Sequence, residues 1–408
     1  MATVIDLVFS GGGTRGVALG GALEVLEQRR PVIRRCLGTS AGAIAAAFGA
    51  AGLTGREYLK LVPAKEGDEF LFNSFFAPPP GDVVRDSARK KDSDTRKLLR
   101  GAADGMMDKM LQGLVEKRPR IGELIKGAIA SNKDKFYENA FEGFLERSAN
   151  HENPDKPRPR TAFFAMVEFG GLFDPGLFRV WLVEQLKKRV PDINQKTTLK
   201  QFHEMARQTG RELSVVVSDT SAAKALVLNH RTAPDCPIVE AVLMSMSVPL
   251  VWPETQWPKE WGMYLGRDVE GHYMVDGGLL SNFPIHYLTH RDQDEMKLIF
   301  GEPEPANERP AVIGLLLDGG LAVPGDVNTV ADKPEFKLFE RIGRMFDTLS
   351  AWQADIYREA DAMICHIGVK GHPALETQRN AEVILRLQAL VNSGRCAMTD
   401  YLKKRKLF

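Results

Sequence analysis

Two glycine-framed turns carry the residues best suited to chemistry. Gly38-Thr39-Ser40-Ala41-Gly42 reads G-x-S-x-G, a serine with glycine two residues away on either side. A serine at a sharp strand-to-helix turn has strained dihedrals, and its neighbours at that spacing must be small for the backbone to fold so tightly. Its hydroxyl then sits at a helix N-terminus, where partial positive charge favours a developing anion. A serine so placed also makes an ordinary helix N-cap. The second turn, Gly11-Gly12-Gly13-Thr14-Arg15-Gly16, follows the β-branched run Val4 to Phe9. As G-x-G-x-x-G after a strand and before a helix it matches a dinucleotide fingerprint. The expected acidic residue about twenty positions on is missing, and Arg34 and Arg35 stand nearby, so that reading points to NADP and an oxidoreductase. The competing use is an oxyanion hole, in which successive glycine N–H groups converge on one oxygen and each donor is worth about 2.7–4 kcal/mol.

A nucleophilic serine needs a base. An α/β-hydrolase supplies an acid and then a histidine after the serine, and its serine follows several strands. Ser40 comes after only two predicted strands, which argues against that architecture. Of the eight histidines only His286 and His290 closely follow a plausible acid, Asp276, and neither stands in a glycine-framed turn. Surface or core packing is the expectation for each. Carboxylates at predicted strand ends remain: Asp219, Asp276 and Asp318, the last two in Asp-Gly-Gly. An aspartate with an ordinary pKa near 3.9 is a weak base. It serves a serine only by direct contact in a partly dry site whose oxyanion hole takes most of the charge.

The elements that must position these residues alternate. Strand, glycine turn and helix recur twice in the first fifty residues, with Val17 to Leu26 amphipathic and a small-residue helix running to about Ala51. This predicts a doubly wound, three-layer α/β/α core. Strands are expected over Val32–Leu37, Leu213–Val217, Tyr273–Val275 and Val312–Leu317, with helices over Leu177–Val190 and Ile238–Ser245. The expected organisation is a discontinuous core of residues 1–62 and 161–330, a mostly helical insertion over 63–160, and a helical region over 331–408 packing on the core. Within the insertion, Phe70 to Phe76 before three prolines is a lid or core segment. Met106, Met107, Met110, Leu111 and Leu114 fall at helical spacing, and the proline-rich 151–160 reads as a linker.

The chain has 408 residues, 54 Lys plus Arg against 53 Asp plus Glu, and 44% hydrophobic residues. A packed globular core follows, and nucleic-acid binding by bulk positive charge is disfavoured. Cys36, Cys236, Cys365 and Cys396 are far apart, with neither a disulfide framework nor zinc-site spacing. No signal-peptide pattern opens the chain, and no apolar run reaches the roughly 20 residues that span a bilayer. A cytoplasmic protein is expected, with membrane-surface contact or unconventional export compatible with the same pattern. The basic and apolar tail Leu402 to Phe408 is either solvated or in contact with anionic lipid.

In this order, Gly-Gly-Gly-x-Arg-Gly at 11–16, Gly-x-Ser-x-Gly at 38–42 and Asp-Gly-Gly at 276–278 resemble the patatin-like phospholipases, serine lipid acyl hydrolases with a Ser–Asp dyad. The stretch Ala241 to Pro253 and the followers Asn282 and Pro284 extend the resemblance. It implies Ser40 as nucleophile, Asp276 rather than Asp318 as base, and Gly11, Gly12 and Gly13 as oxyanion donors. Arg15 would orient the glycine loop or meet a phosphate, Asp219 would be structural, and Asp318 would cap a loop. The implied substrate is a phospholipid or lysophospholipid, with peripheral membrane contact and no cofactor or metal. A catalytically degenerate member acting as an interaction module is the remaining reading. The resemblance covers roughly 1–62 and 165–320.

Overall fold

A computed structural model describes residues 3–60, 79, 83, 86–87, 89–90, 92–117, 137, 141, 159–325, 337–375 and 381–405. It divides into two compact units, one of residues 1–75, 175–248 and 254–408, the other of residues 76–174 and 249–253. The first is a mixed sheet with helices. Its strands are β1 (Val4–Phe9), β2 (Val32–Thr39), β3 (Glu212–Asp219), β4 (Lys224–Leu228), β5 (Thr255–Gln256), β6 (Tyr273–Asp276), β7 (Ala311–Ala322) and β8 (Ile364–Lys370). β3, β2, β1, β7 and β8 run parallel in that order, and β6 and β4 pair antiparallel with β3. β1 is buried at every residue after Val4, as a central parallel strand covered on both faces must be.

Helix α1 (Val17–Glu27) leaves the glycine loop and α2 (Ala41–Ala51) leaves Ser40; α2 is buried at all eleven positions. Seven of those eleven are alanine, so the backbone lies close to the sheet without overpacking. In the second unit, α3 (Asp94–Lys117) and α4 (Pro159–Phe169) are joined by Glu168, which accepts from Ser93 Oγ and Thr95 N at 3.0 Å each. The first unit continues with α5 (Gly176–Lys187), α6 (Ile238–Met246), α7 (Lys337–Gln353) and α8 (Ala381–Arg405). α8 docks on α1 through Arg395 and Glu24 at 2.8 Å, and Ser393 Oγ donates to Gly368 O of β8 at 2.7 Å.

Several expectations need correction. The C-terminal region is helical but also supplies β8, whose alternation around Cys365 and His366 is too short to stand out beside long helices. Asp318-Gly319-Gly320 lies inside β7, because the strand continues past a register shift to Ala322. Pro159 and Arg160 begin α4 rather than ending a linker. Leu402, in the basic tail, is buried within α8. The segment Phe70 to Phe76 and most of the linker lie outside the described residues, as do the side chains of Met106, Met107, Met110, Leu111 and Leu114 on α3.

Candidate active site

The register along β3 brings the two halves of the site together. Thr39, the last residue of β2, pairs with Val216, and Asp276, the last of β6, pairs with Val217. Val215 and Val216 also pair with β4, as do Val217 to Asp219. A strand residue has only two ladder edges, so β2 and β6 share the edge of β3 that β4 does not occupy. They run in opposite directions and meet end to end, which sets Ser40 and Asp276 beside each other although 236 residues separate them.

Ser40 has φ 54°, ψ −124°, a left-handed conformation that a side chain rarely adopts. Such a residue stores on the order of 1–3 kcal/mol. Its hydroxyl makes no capping bond to α2, so the N-cap reading is set aside. The two flanking glycines are required by close approach. A Cβ on Gly38 would lie 2.1 Å from Gly42 O, and one on Gly42 would lie 2.4 Å from Phe9 O. Ser40 N donates to Ser245 Oγ at 2.9 Å, and Ser245 Oγ donates to Val216 O at 2.6 Å. Ser245 is fully buried at the end of α6, and Ser247 O accepts from Asp276 N at 2.9 Å. One helix end thus holds the backbone of both residues.

Asp276 is 1% exposed. Its Oδ1 accepts from Gly278 N at 2.7 Å, while Oδ2 has no partner of full hydrogen-bond geometry among the described residues. Burial pushes its pKa up to about 7, against the Gly278 N–H and the Ser40 hydroxyl, which pull it down. The Ser40 hydroxyl therefore adjoins the carboxylate without a well-aligned bond.

The glycine loop is shaped from outside. Gly11 N donates to Asn282 O at 2.9 Å, so that amide is engaged, whereas among the described residues the Gly12 and Gly13 amides have no protein acceptor. Gly13 sits at φ 58°, and a Cβ there would lie 2.0 Å from Ala374 O. Thr14 N donates to Ala374 O at 2.8 Å. Arg15 Nε donates to His372 O at 2.7 Å and its two terminal nitrogens grip Asp347 at 2.8 and 3.1 Å. The guanidinium is thereby committed to holding the loop against the C-terminal region. Arg34 pairs with Glu304, and Arg35 is buried between Asp6 and Glu304, so neither arginine of the dinucleotide reading stands free.

A cleft of about 640 Å³ opens over Ser40, Asp276 and the glycine loop. Leu316, Leu317, Ile342, Tyr357 and Val369 give it apolar walls. At another part of the lining, His366 lies between Asp318 Oδ2 at 2.9 Å and Asp361 Oδ1 at 3.0 Å. The bond with Asp318 raises the His366 pKa, and the same bond lowers that of Asp318. His366 is thus a cleft residue rather than a packing one, and Asp318 binds it instead of only capping a loop. Asp219 is buried, accepts from Ser221 N and Ala222 N, and contacts His272 at 2.8 Å. Among the described residues no group of three or more His, Cys, Asp or Glu is arranged to hold a metal ion, and no helix is long and apolar enough to cross a membrane.

The uncharacterized protein YqhO of Bacillus subtilis (strain 168) is 52% identical over 67 residues, 16% of this chain and 23% of that protein. The match therefore spans less than a quarter of the relative's length. Among solved structures, VipD from Legionella pneumophila aligns with 98% of this chain and 67% of its own at TM-score 0.46 and 16% identity. The type III effector ExoU of Pseudomonas aeruginosa aligns with 100% of this chain and 54% of its own at TM-score 0.40 and 14% identity. The family described as patatin-like phospholipase matches residues 7–289, more than half of the sequence and all three glycine-framed motifs. This chain belongs to the patatin-like phospholipase family.

Proposed function

We propose that the protein is a serine acyl hydrolase that cleaves fatty-acyl esters of phospholipids or lysophospholipids with a Ser40–Asp276 dyad. The observation that carries this reading is the end-to-end meeting of β2 and β6 on β3, with a strained serine beside a buried carboxylate. Ser40 Oγ attacks the ester carbonyl as Asp276 Oδ2 takes its proton. The carbonyl oxygen becomes an oxyanion held by the Gly12 and Gly13 N–H groups, since Gly11 N–H is already bound to Asn282 O. Collapse expels the alcohol or lysolipid, which takes the proton from Asp276. Water then attacks the acyl-Ser40 ester by the reverse route, releasing a fatty acid and restoring both side chains.

A base with a pKa near 7 suits this role better than an ordinary aspartate, because proton transfer is most effective when the base's pKa lies near the working pH. The apolar walls of the cleft fit acyl chain. Peripheral contact with a lipid surface belongs to the same reading, as does the division into a catalytic core of 1–62 and 161–330, an insertion over 63–160 and an extension over 331–408. The test is fluorophosphonate labelling with peptide mapping, together with fatty-acid release from mixed phospholipid vesicles. Labelling of Ser40 and loss of release in Ser40→Ala are expected. Undiminished release by Ser40→Ala overturns the mechanism.

A further inference from the structure

Gln353 ends α7 and is 1% exposed, a buried amide aimed at backbone groups of the catalytic loops. Its Oε1 accepts from Asn282 N at 2.7 Å, and its Nε2 lies 3.5 Å from Gly278 O. Tyr357 OH donates to the same Oε1 at 3.4 Å, and the Tyr357 ring stands edge-on to Phe283 with centroids 5.1 Å apart. The two contacted residues are not arbitrary. Gly278 N is the donor to Asp276 Oδ1, and Asn282 O is the acceptor for Gly11 N. One side chain therefore touches the loop that carries the base and the residue that anchors the glycine loop.

The same helix makes a second connection. Asp347, two turns earlier on α7, takes the Arg15 guanidinium through both carboxylate oxygens. Both α7 residues lie beyond residue 289, where the family match ends. The family motifs in this chain are thus held in place by a helix that the match does not include. A buried amide is costly unless its hydrogen bonds are made, so replacing it leaves the Asn282 N–H without its acceptor and frees the loop to shift. Small displacements of reacting groups have large effects on rate, because catalysis depends on near-attack geometry.

We propose that Gln353 is a positioning residue that couples α7 to both catalytic loops, setting the Asp276 loop through Gly278 and the glycine loop through Asn282. This rests on the Ser40–Asp276 reading. The test compares Gln353→Met, Gln353→Glu and Ser40→Ala with wild type on a short-chain p-nitrophenyl ester, a soluble probe that needs no lipid surface. Gln353→Met keeps the length and loses the acceptor; kcat falls about 10- to 100-fold with KM within about threefold, and fluorophosphonate labelling of Ser40 slows in parallel. Gln353→Glu keeps the acceptor for Asn282 N but loses the Nε2 donor that faces Gly278 O, so kcat falls, by less than in Gln353→Met. It also places a second carboxyl beside the Asp276 loop, so the pH midpoint of kcat/KM moves up by about half a unit or more. Wild-type kcat in Gln353→Met, or an unmoved midpoint in Gln353→Glu, overturns the proposal, and the second readout stands even if Gln353→Met does not fold. Failure of the dyad reading has a different signature, full activity in Ser40→Ala.

Discussion

The chain contains Asp-Gly-Gly twice, and the two copies have opposite environments. Asp276 ends β6, is completely buried, and has one carboxylate oxygen without an aligned partner among the described residues. Asp318 lies within β7, with its side chain about a quarter exposed and its oxygens engaged by His366 and Gly320 N. Burial raises the pKa of the first to about 7; a hydrogen bond to histidine lowers that of the second. The tripeptide supplies room for backbone approach in both places. What differs is the register: β6 abuts the end of β2 on a shared edge, whereas β7 is separated from β2 by β1. A motif offers a carboxylate, and the sheet decides whether that carboxylate meets a serine.

The largest way to break this contrast is by activity. Asp276→Asn, like Ser40→Ala, is expected to cut kcat/KM by at least about 10³-fold, since removing a member of a catalytic unit costs on that scale. Asp318→Asn is expected to change it less than about tenfold, as measured by initial rates of fatty-acid release. Comparable losses in the two aspartate variants would erase the distinction between the turns. Next comes pH. Asp276 must be ionised to accept a proton, so log kcat/KM is expected to rise with pH and level off above about 7. Asp318→Asn should leave that midpoint within about half a unit, which a full pH–rate profile measures.

Stability sharpens the contrast in a third way. The folded-state pKa of Asp276 lies above its unfolded value, so the native state holds the proton more tightly between about pH 4 and 7 and loses stability as pH rises through that window. Asp276→Asn is therefore expected to be more stable than wild type at pH 8, by roughly 4 kcal/mol, with the gain vanishing near pH 4. Urea unfolding at the two pH values checks this. The smallest effect belongs to Asp318. Its lowered pKa adds stability above its unfolded value that is lost as pH falls through the folded one, and the raised His366 pKa adds stability that is lost as pH climbs through its own. Asp318→Asn should cost about 1 kcal/mol, most visibly between about pH 4 and 6.5. The sign is opposite to that for Asp276→Asn at pH 8.

Much of the site's inventory was legible in the residues. The G-x-S-x-G spacing predicts a tight strand-to-helix turn, and Ser40 has the positive φ that this implies. The strand–turn–helix repeats of the first fifty residues announce the parallel core. The glycine loop was legible as a run of donors, but not that Gly11 N–H is committed to Asn282, which lies 271 residues away. Ser245 stood out only as part of a small-residue stretch; its bond to Ser40 N depends on how α6 packs on β3. His366 carried no local signal, because its partners come from β7 and from the segment between α7 and β8.

By itself the sequence determined which residues can do chemistry: a serine forced into a strained turn, glycines that admit close backbone approach, and aspartates at the ends of apolar runs. These properties are local, set by sterics and by hydropathy period over a few residues. Only the tertiary structure decided which aspartate faces the serine, that the Gly11 amide is engaged by Asn282 O, and that a helix beyond the family motifs holds their loops. Those outcomes depend on strand register, on burial and on hydrogen bonds between distant segments. A carboxylate's basicity follows from how much water the fold removes around it, and no short stretch of sequence specifies that.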